Sequence, residues 1–307
     1  MTDSFSVNCP IPVSSSDTIQ MAHGGGGRLM NNLIEQVFRK AFDNSMLHEQ
    51  HDGAVFEMTG RCAMTTDSYV VSPLFFPGGD IGRLAVTGTA NDLAMCGAVP
   101  RYISAGFILE EGLPMSVLME VVDSMAKTAA GLNVRVVTGD LKVVENGKAD
   151  GIYINTCGIG ELIVENTIAP SAVKISDVII ISGDIGRHGI AVMSARDELG
   201  LENIPDSDCG PLIDPVMALL EEGIRVNCLR DLTRGGLSSA LVEIAETSGF
   251  TFTINEDSIP ISNEVRATCE LLGLDPMYVA NEGRFIAILN QADAERALQV
   301  LGQYEIT

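Results

Sequence analysis

Cys62–Met95, CAMTTDSYVVSPLFFPGGDIGRLAVTGTANDLAM, changes its periodicity once, and that change points to the fold class. Cys62 to Val71 is rich in β-branched and aromatic residues and predicts a strand. Phe75-Phe76-Pro77-Gly78-Gly79 is a turn by its chemistry. Ile81 to Met95 follows as a helix of small residues. The same rhythm extends outward. Upstream, Leu29, Leu33, Ile34, Val37, Phe38 and Ala41 put one apolar face on a helix from Arg28 to Phe42. Downstream the pattern predicts a strand over Tyr102–Leu109, a helix over Pro114–Ala130, and strands over Arg135–Val144 and Gly151–Leu162.

The rhythm breaks between Glu165 and Asp177, where Pro170 and polar residues interrupt it. Beyond the break, strands are expected at Val178–Ile181, Val226–Arg230, Thr251–Asn255 and Phe285–Leu289. Helices are expected at Gly189–Leu199, Pro211–Glu222, Gly236–Thr247, Asn263–Leu272 and Ala292–Gly302. Both halves alternate strand and helix, which suits two α/β or α+β domains.

The chain has 307 residues, ample for two domains at roughly 100–200 residues each. Apolar residues make up 46% and charged residues only 20%, which excludes a largely disordered chain. Forty-one acidic against 19 basic side chains give a net charge of −22, the wrong sign for non-specific nucleic-acid binding. A phosphate-bearing ligand remains compatible where metal ions and backbone N–H groups supply positive charge. No apolar run approaches the roughly 18 residues of a membrane span, and residues 1–17 read as a polar, mobile arm without a signal-peptide pattern. The seven cysteines are scattered and contain no C-x-x-C pair, so reduced thiols in the cytoplasm are expected.

Acidic residues recur where strands hand over to loops: Asp67, Asp140, Asp184 and Asp231. Asp92 lies inside a helix of small and apolar residues, where an unpaired carboxylate costs free energy. Hard cations take carboxylate oxygens together with substrate phosphates, so converging aspartates suit an ATP-type site. Each of them alone is more often a cap or turn residue. Gly24-Gly25-Gly26-Gly27 opens a helix, and Gly235-Gly236 after Arg234 opens another; both suit a phosphate approached by backbone N–H groups. Neither is a Walker A loop, since no Gly-Lys-Ser/Thr follows. Lys142 is a candidate for charge on a phosphoryl group or a proton shuttle, and Glu282 for a general base. His48 and His51 lack partners for a metal pair, and no Gly-x-Ser-x-Gly elbow is present.

Ala22–Gly27 (AHGGGG), Thr66–Val70 (TDSYV), Phe75–Gly79 (FFPGG), Gly88–Asp92 (GTAND), Gly106–Gly112 (GFILEEG), Val137–Asp140 (VTGD), Arg230–Gly236 (RDLTRGG) and Ala280–Gly283 (ANEG) resemble, in unbroken order, the motifs of the HypE family. That family comprises the carbamoyl dehydratases of [NiFe]-hydrogenase maturation. The resemblance implies an α+β, two-domain aminoimidazole ribonucleotide synthetase-like fold. Its N-terminal domain (18–168) would bind ATP and form a β-barrel across a homodimer, with a C-terminal α+β domain over 169–307. It implies Asp67, Asp92, Asp140 and Asp231 as Mg²⁺ ligands. Gly24, Gly25, Gly26, Gly27, Asn91, Asp140, Arg234 and Gly235 would contact ATP, and Lys142 and Glu282 would deprotonate the substrate amide.

The implied reaction is ATP-dependent dehydration of a cysteine-borne carboxamide to a thiocyanate, the source of the cyanide ligands of the hydrogenase iron. Implied partners are the carbamoyltransferase HypF and the HypC–HypD complex. The family carries its substrate on a C-terminal Pro-Arg-Ile/Val-Cys tail. This chain ends at Glu305-Ile306-Thr307 with no cysteine after Cys269, so the expectation is a chain without that tail, which binds ATP but does not form its own thiocyanate. The rival expectations are a sister ATP-using synthetase or kinase and a nucleotide-binding scaffold for maturation partners.

Overall fold

A computed structural model describes residues 17–49, 53–196 and 204–304. The expected arm over 1–17 lies outside these residues except for Asp17. The first sheet has the order β1-β6-β4-β5, formed by β1 (Cys62–Tyr69), β4 (Ala98–Glu110), β5 (Arg135–Val144) and β6 (Ile152–Leu162). A short hairpin, β2 (Phe75–Phe76) with β3 (Gly79–Asp80), occupies the expected turn. β1 and β6 are antiparallel, as are β4 and β6, whereas β4 and β5 are parallel and joined through the helix Met115–Gly131. A parallel pair needs such a crossover. Leu118, Val121, Val122, Met125 and Ala129 recur at helical spacing and are all buried, so one face of this helix packs into the core.

The Ile81–Met95 helix is the joint of the molecule. Asp80 caps its N-terminus, accepting hydrogen bonds from Gly82 N at 2.8 Å and Arg83 N at 3.0 Å. The helix is buried on nearly every side. It contacts β1, β4 and β6 and, near its end, β8 (Val226–Asp231). Small residues make this possible: a Cβ at Gly82 would lie 2.2 Å from the Val121 carbonyl oxygen. Ile81, Leu84 and Ala85 join the first core, and Ala94 and Met95 the second.

The second sheet has the order β7-β9-β8, with β7 (Asp177–Ile181) and β9 (Phe285–Asn290) and both pairings antiparallel. β9 separates two cores by simple alternation. Phe285, Ala287 and Leu289 face the helices Ile213–Glu221 and Ala294–Leu301, while Ile286 and Ile288 face the helix Gly236–Ser248. Its central place therefore accounts for its near-continuous apolar sequence.

Three expectations change in detail. Thr251–Asn255 joins no ladder; Phe250 and Phe252 pack against the second sheet's core, which satisfies the alternation without strand pairing. The helix expected over Arg28–Phe42 includes a wider π-type turn at Ile34–Arg39. The helix expected from Gly189 begins at Arg187 and ends at Ser194; residues 197–199 lie outside the described part. No helix among the described residues is long and apolar enough to cross a membrane.

Candidate functional site

A cleft of about 640 Å³ opens where β1, the Ile81–Met95 helix, the end of β8 and the segment before β9 converge. Four carboxyl groups line it: Asp67, Asp92, Asp231 and Glu282. Each arrives by a different route. Asp67 lies on β1, an edge strand, and its Oδ1 accepts Ser68 N–H at 2.7 Å. Asp92 lies on the helix, where Thr65 Oγ1 donates to its Oδ2 at 2.8 Å. Asp231 ends β8, just before the turn whose Gly235, with φ of 73°, precedes the helix Gly236–Ser248. Glu282 is held by a buried anchor: Asp208, 1% exposed, accepts Glu282 N–H at 3.2 Å and Gly283 N–H at 3.0 Å. Gly283 has no room for a side chain, since a Cβ there would meet the Asp208 carbonyl oxygen.

The electrostatics follow from this crowding. Burial pushes the Asp231 carboxyl up to about 7, and the negative charge of Asp92 adds to the effect. Asp92 is also raised, first by burial, against the lowering influence of its Thr65 hydrogen bond. Glu282 is raised well above the usual carboxylate range by burial, then by Asp231 and Asp208. These carboxyl groups repel one another and favour a cation between them. Among the described residues no three acidic, histidine or cysteine groups stand close enough to enclose a metal ion by themselves. Arg230 and Arg234 line the same cleft, with Arg230 also paired to Glu243 at 2.9 Å.

The other expected site residues lie elsewhere in the chain. Asp140 and Lys142 stand on β5, the opposite edge of the sheet, paired with each other at 3.2 Å and well exposed. Ser68 pairs with Asn155, Asn155 with Gly106, and Gly106 with Asp140, so three strand spacings separate the two edges. That is about 14 Å at the usual spacing, too far for Asp140 to share an ion with Asp67 within one chain. The glycine loop belongs to the same half: Gly24 is packed so tightly on Val143 of β5 that a Cβ would lie 2.4 Å from its backbone nitrogen. Gly26 and Gly27 have φ of 81° and 80° and open space around them. Asn91 is spent structurally: its Nδ2 donates to Gly210 O at 3.0 Å and its Oδ1 accepts Leu212 N–H at 2.7 Å. Asp184 is engaged by the buried Arg284 at 2.5 Å, outside the cleft.

Two residues that support or line the cleft carry no signal in the sequence alone. Asp208 is one, because its role rests on backbone groups 74 and 75 residues away. His188, 8% exposed, is the other; its partner Ser207 Oγ stands 2.9 Å from Nδ1 but 19 residues off in the chain.

Residues 50–162 match the N-terminal domain and residues 174–307 the C-terminal domain of AIR synthase related proteins. Carbamoyl dehydratase HypE of Azotobacter vinelandii is 50% identical over 285 residues, covering 92% of this chain and 84% of that protein. The chain superimposes on the crystal structure of hydrogenase maturation protein HypE in complex with ATP with a TM-score of 0.89 at 47% identity, over 92% of this chain and 84% of that one. A HypE–HypF complex gives a TM-score of 0.78 at 44% identity, over 89% of each chain.

Proposed function

The chain belongs to the AIR synthase related family and, within it, to the HypE carbamoyl dehydratases, and on that membership we propose that it dehydrates a thiocarbamate borne on a cysteine sulfur to a thiocyanate at the expense of ATP. The observation that carries the reading is the convergence of Asp67, Asp92, Asp231 and Glu282 with Arg234 in one cleft. The all-oxygen donor set, in which burial raises the proton affinities of Asp92 and Asp231, fits a hard divalent cation such as Mg²⁺. Asp67, Asp92 and Asp231 together with phosphate oxygens would hold Mg²⁺, which would supply charge neutralisation at the transferring phosphoryl group.

The chain's own groups do the rest. Arg234 and the N–H groups at the start of the Gly236–Ser248 helix face phosphate oxygens. An amide oxygen leaves poorly as hydroxide and well as phosphate, so the carboxamide oxygen is the acceptor of the γ-phosphoryl group. The nitrogen must then lose its protons as phosphate departs. Glu282, with proton affinity lifted far above an ordinary carboxylate, is the base that takes them.

The glycine loop, Asp140 and Lys142 reach the reaction from a second copy of the chain. The four-stranded sheet ends in two open edges, β1 with the aspartate cleft and β5 with the glycine loop. Two such sheets closing into an eight-stranded barrel abolish those edges. In the resulting homodimer the partner's β5 lies against the cleft, and the partner's Asp140 completes the cation site while the partner's Lys142 faces the phosphoryl group. HypF is the partner that supplies the carbamoyl group, a pairing supported by the solved HypE–HypF complex, and the HypC–HypD complex receives the product. The setting is cytoplasmic, consistent with six free cysteines among the described residues.

Calorimetric titration with ATP tests the reading: affinity should depend on Mg²⁺ and fall at least about tenfold in Asp92→Asn, whose amide cannot ligate as a carboxylate does. Equal, metal-independent binding by both proteins would reject it.

A further inference from the structure

His188 sits at the start of the Arg187–Ser194 helix, with its ring almost fully buried and edge-on to Phe76, the ring centroids 5.3 Å apart. Its Nδ1 lies 2.9 Å from Ser207 Oγ, which also accepts Cys209 N–H at 3.0 Å. The Ser207 hydroxyl proton finds no acceptor among the described residues except His188 Nδ1. A Ser207 hydroxyl donating to Nδ1 places the ring proton on Nε2. That N–H has no protein partner among the described residues, yet it is not sealed in, since the one enclosed and unpartnered side-chain polar atom among them is Ser194 Oγ. His188 lines the cleft together with Asp67, Asp231 and Glu282.

The backbone ties His188 to Glu282. Gly189 N–H donates to Ala280 O at 3.0 Å, and a Cβ at Gly189 would lie 2.5 Å from Val279 Cγ1. The turn carrying the imidazole and the segment carrying the carboxylate are thus one packed unit. Burial holds the imidazole pKa down to about 4, so the ring is neutral at the working pH. A neutral N–H stays available to an uncharged oxygen.

We propose that the Nε2–H of His188 is the hydrogen-bond donor that holds the oxygen of the substrate carboxamide while Glu282 addresses its nitrogen. Together they read both ends of one amide, which selects a carboxamide over a carboxylate. The assignment rests on the dehydratase reading above.

The test is nitrogen-15 NMR of the full chain, whose four histidines keep the spectrum simple. An S-alkyl thiocarbamate is added with and without Mg·ATP. His188 is expected as the Nε2–H tautomer, with its Nε2 resonance moving on saturation. His188→Leu should weaken thiocarbamate binding about five- to tenfold, the range of one neutral hydrogen bond, leave Mg·ATP affinity unchanged, and be partly rescued by His188→Gln. An Nδ1–H tautomer, an unmoved resonance at saturation, or equal binding by His188→Leu would overturn the proposal. The wild-type tautomer and ligand shift need no variant, so misfolding of a substituted chain does not shelter it. Binding of Mg·ATP without any thiocarbamate binding removes the role of His188 alone; failure to bind either ligand sinks the dehydratase reading beneath it.

Discussion

Thr65 Oγ1 donates a 2.8 Å hydrogen bond to Asp92 Oδ2, joining the edge strand β1 to the central helix through a carboxylate on an otherwise small and apolar helix. A buried carboxylate is costly unless hydrogen-bonded or paired, and this hydroxyl offsets part of the cost. It also leaves Asp92 Oδ1 outside that bond.

Removing the hydroxyl should therefore raise the proton affinity of Asp92 further, because the Thr65 bond is the largest influence that lowers it, ahead of Arg230 and Arg234. In Thr65→Val a proton competes better with the cation. Mg²⁺-dependent nucleotide affinity is expected to fall several-fold, and more at pH 6 than at pH 8. Calorimetry at the two pH values measures the difference.

Gly283→Ala forces a Cβ into the Asp208 carbonyl oxygen and displaces the segment that carries Glu282. The cost is expected in the upper range for single substitutions, about 2–4 kcal/mol. Denaturant unfolding measures the loss, and turnover of whatever stays folded should fall by a larger factor than nucleotide affinity, since Glu282 acts on the amide rather than on ATP.

His188 also predicts an acid-sensitive component of stability. Its folded pKa of about 4 lies below the ordinary value near 6.5, so the unfolded chain binds the proton more readily. The corresponding stability is present above pH 6.5 and is lost as pH falls towards 4, on the order of 3 kcal/mol in all. Chemical denaturation of wild type and His188→Asn across that interval should differ in slope by this component, the wild type losing more stability towards pH 4.

Local elements were legible wherever a residue's role depends on near neighbours. The helix over Met115–Gly131 is readable because its buried residues repeat every three or four positions. β9 is readable because both its faces are covered. Thr251–Asn255 misleads because alternation reports which side chains are buried, not whether a neighbouring strand is there to pair. In the site, Asp67, Asp92, Asp231 and Glu282 sit in motifs and do meet in the cleft. The separation of Asp140 and Lys142 onto the far sheet edge is a matter of strand order, which no local pattern encodes. His188 and Asp208 were invisible for a related reason: their partners are contributed by distant turns.

The division of the site between two sheet edges gives the account its sharpest test. Asp231→Asn abolishes the cleft half and Asp140→Asn the β5 half, so each variant alone should lack Mg·ATP-dependent thiocarbamate dehydration. In a mixed dimer one of the two clefts retains Asp231 and faces an intact partner's Asp140. Random re-association of equal amounts, after reversible dissociation, should restore about a quarter of wild-type activity, because half of the dimers are mixed and each has one intact site. Mixed dimers that form but stay inactive would contradict the account, as would full activity of Asp140→Asn alone.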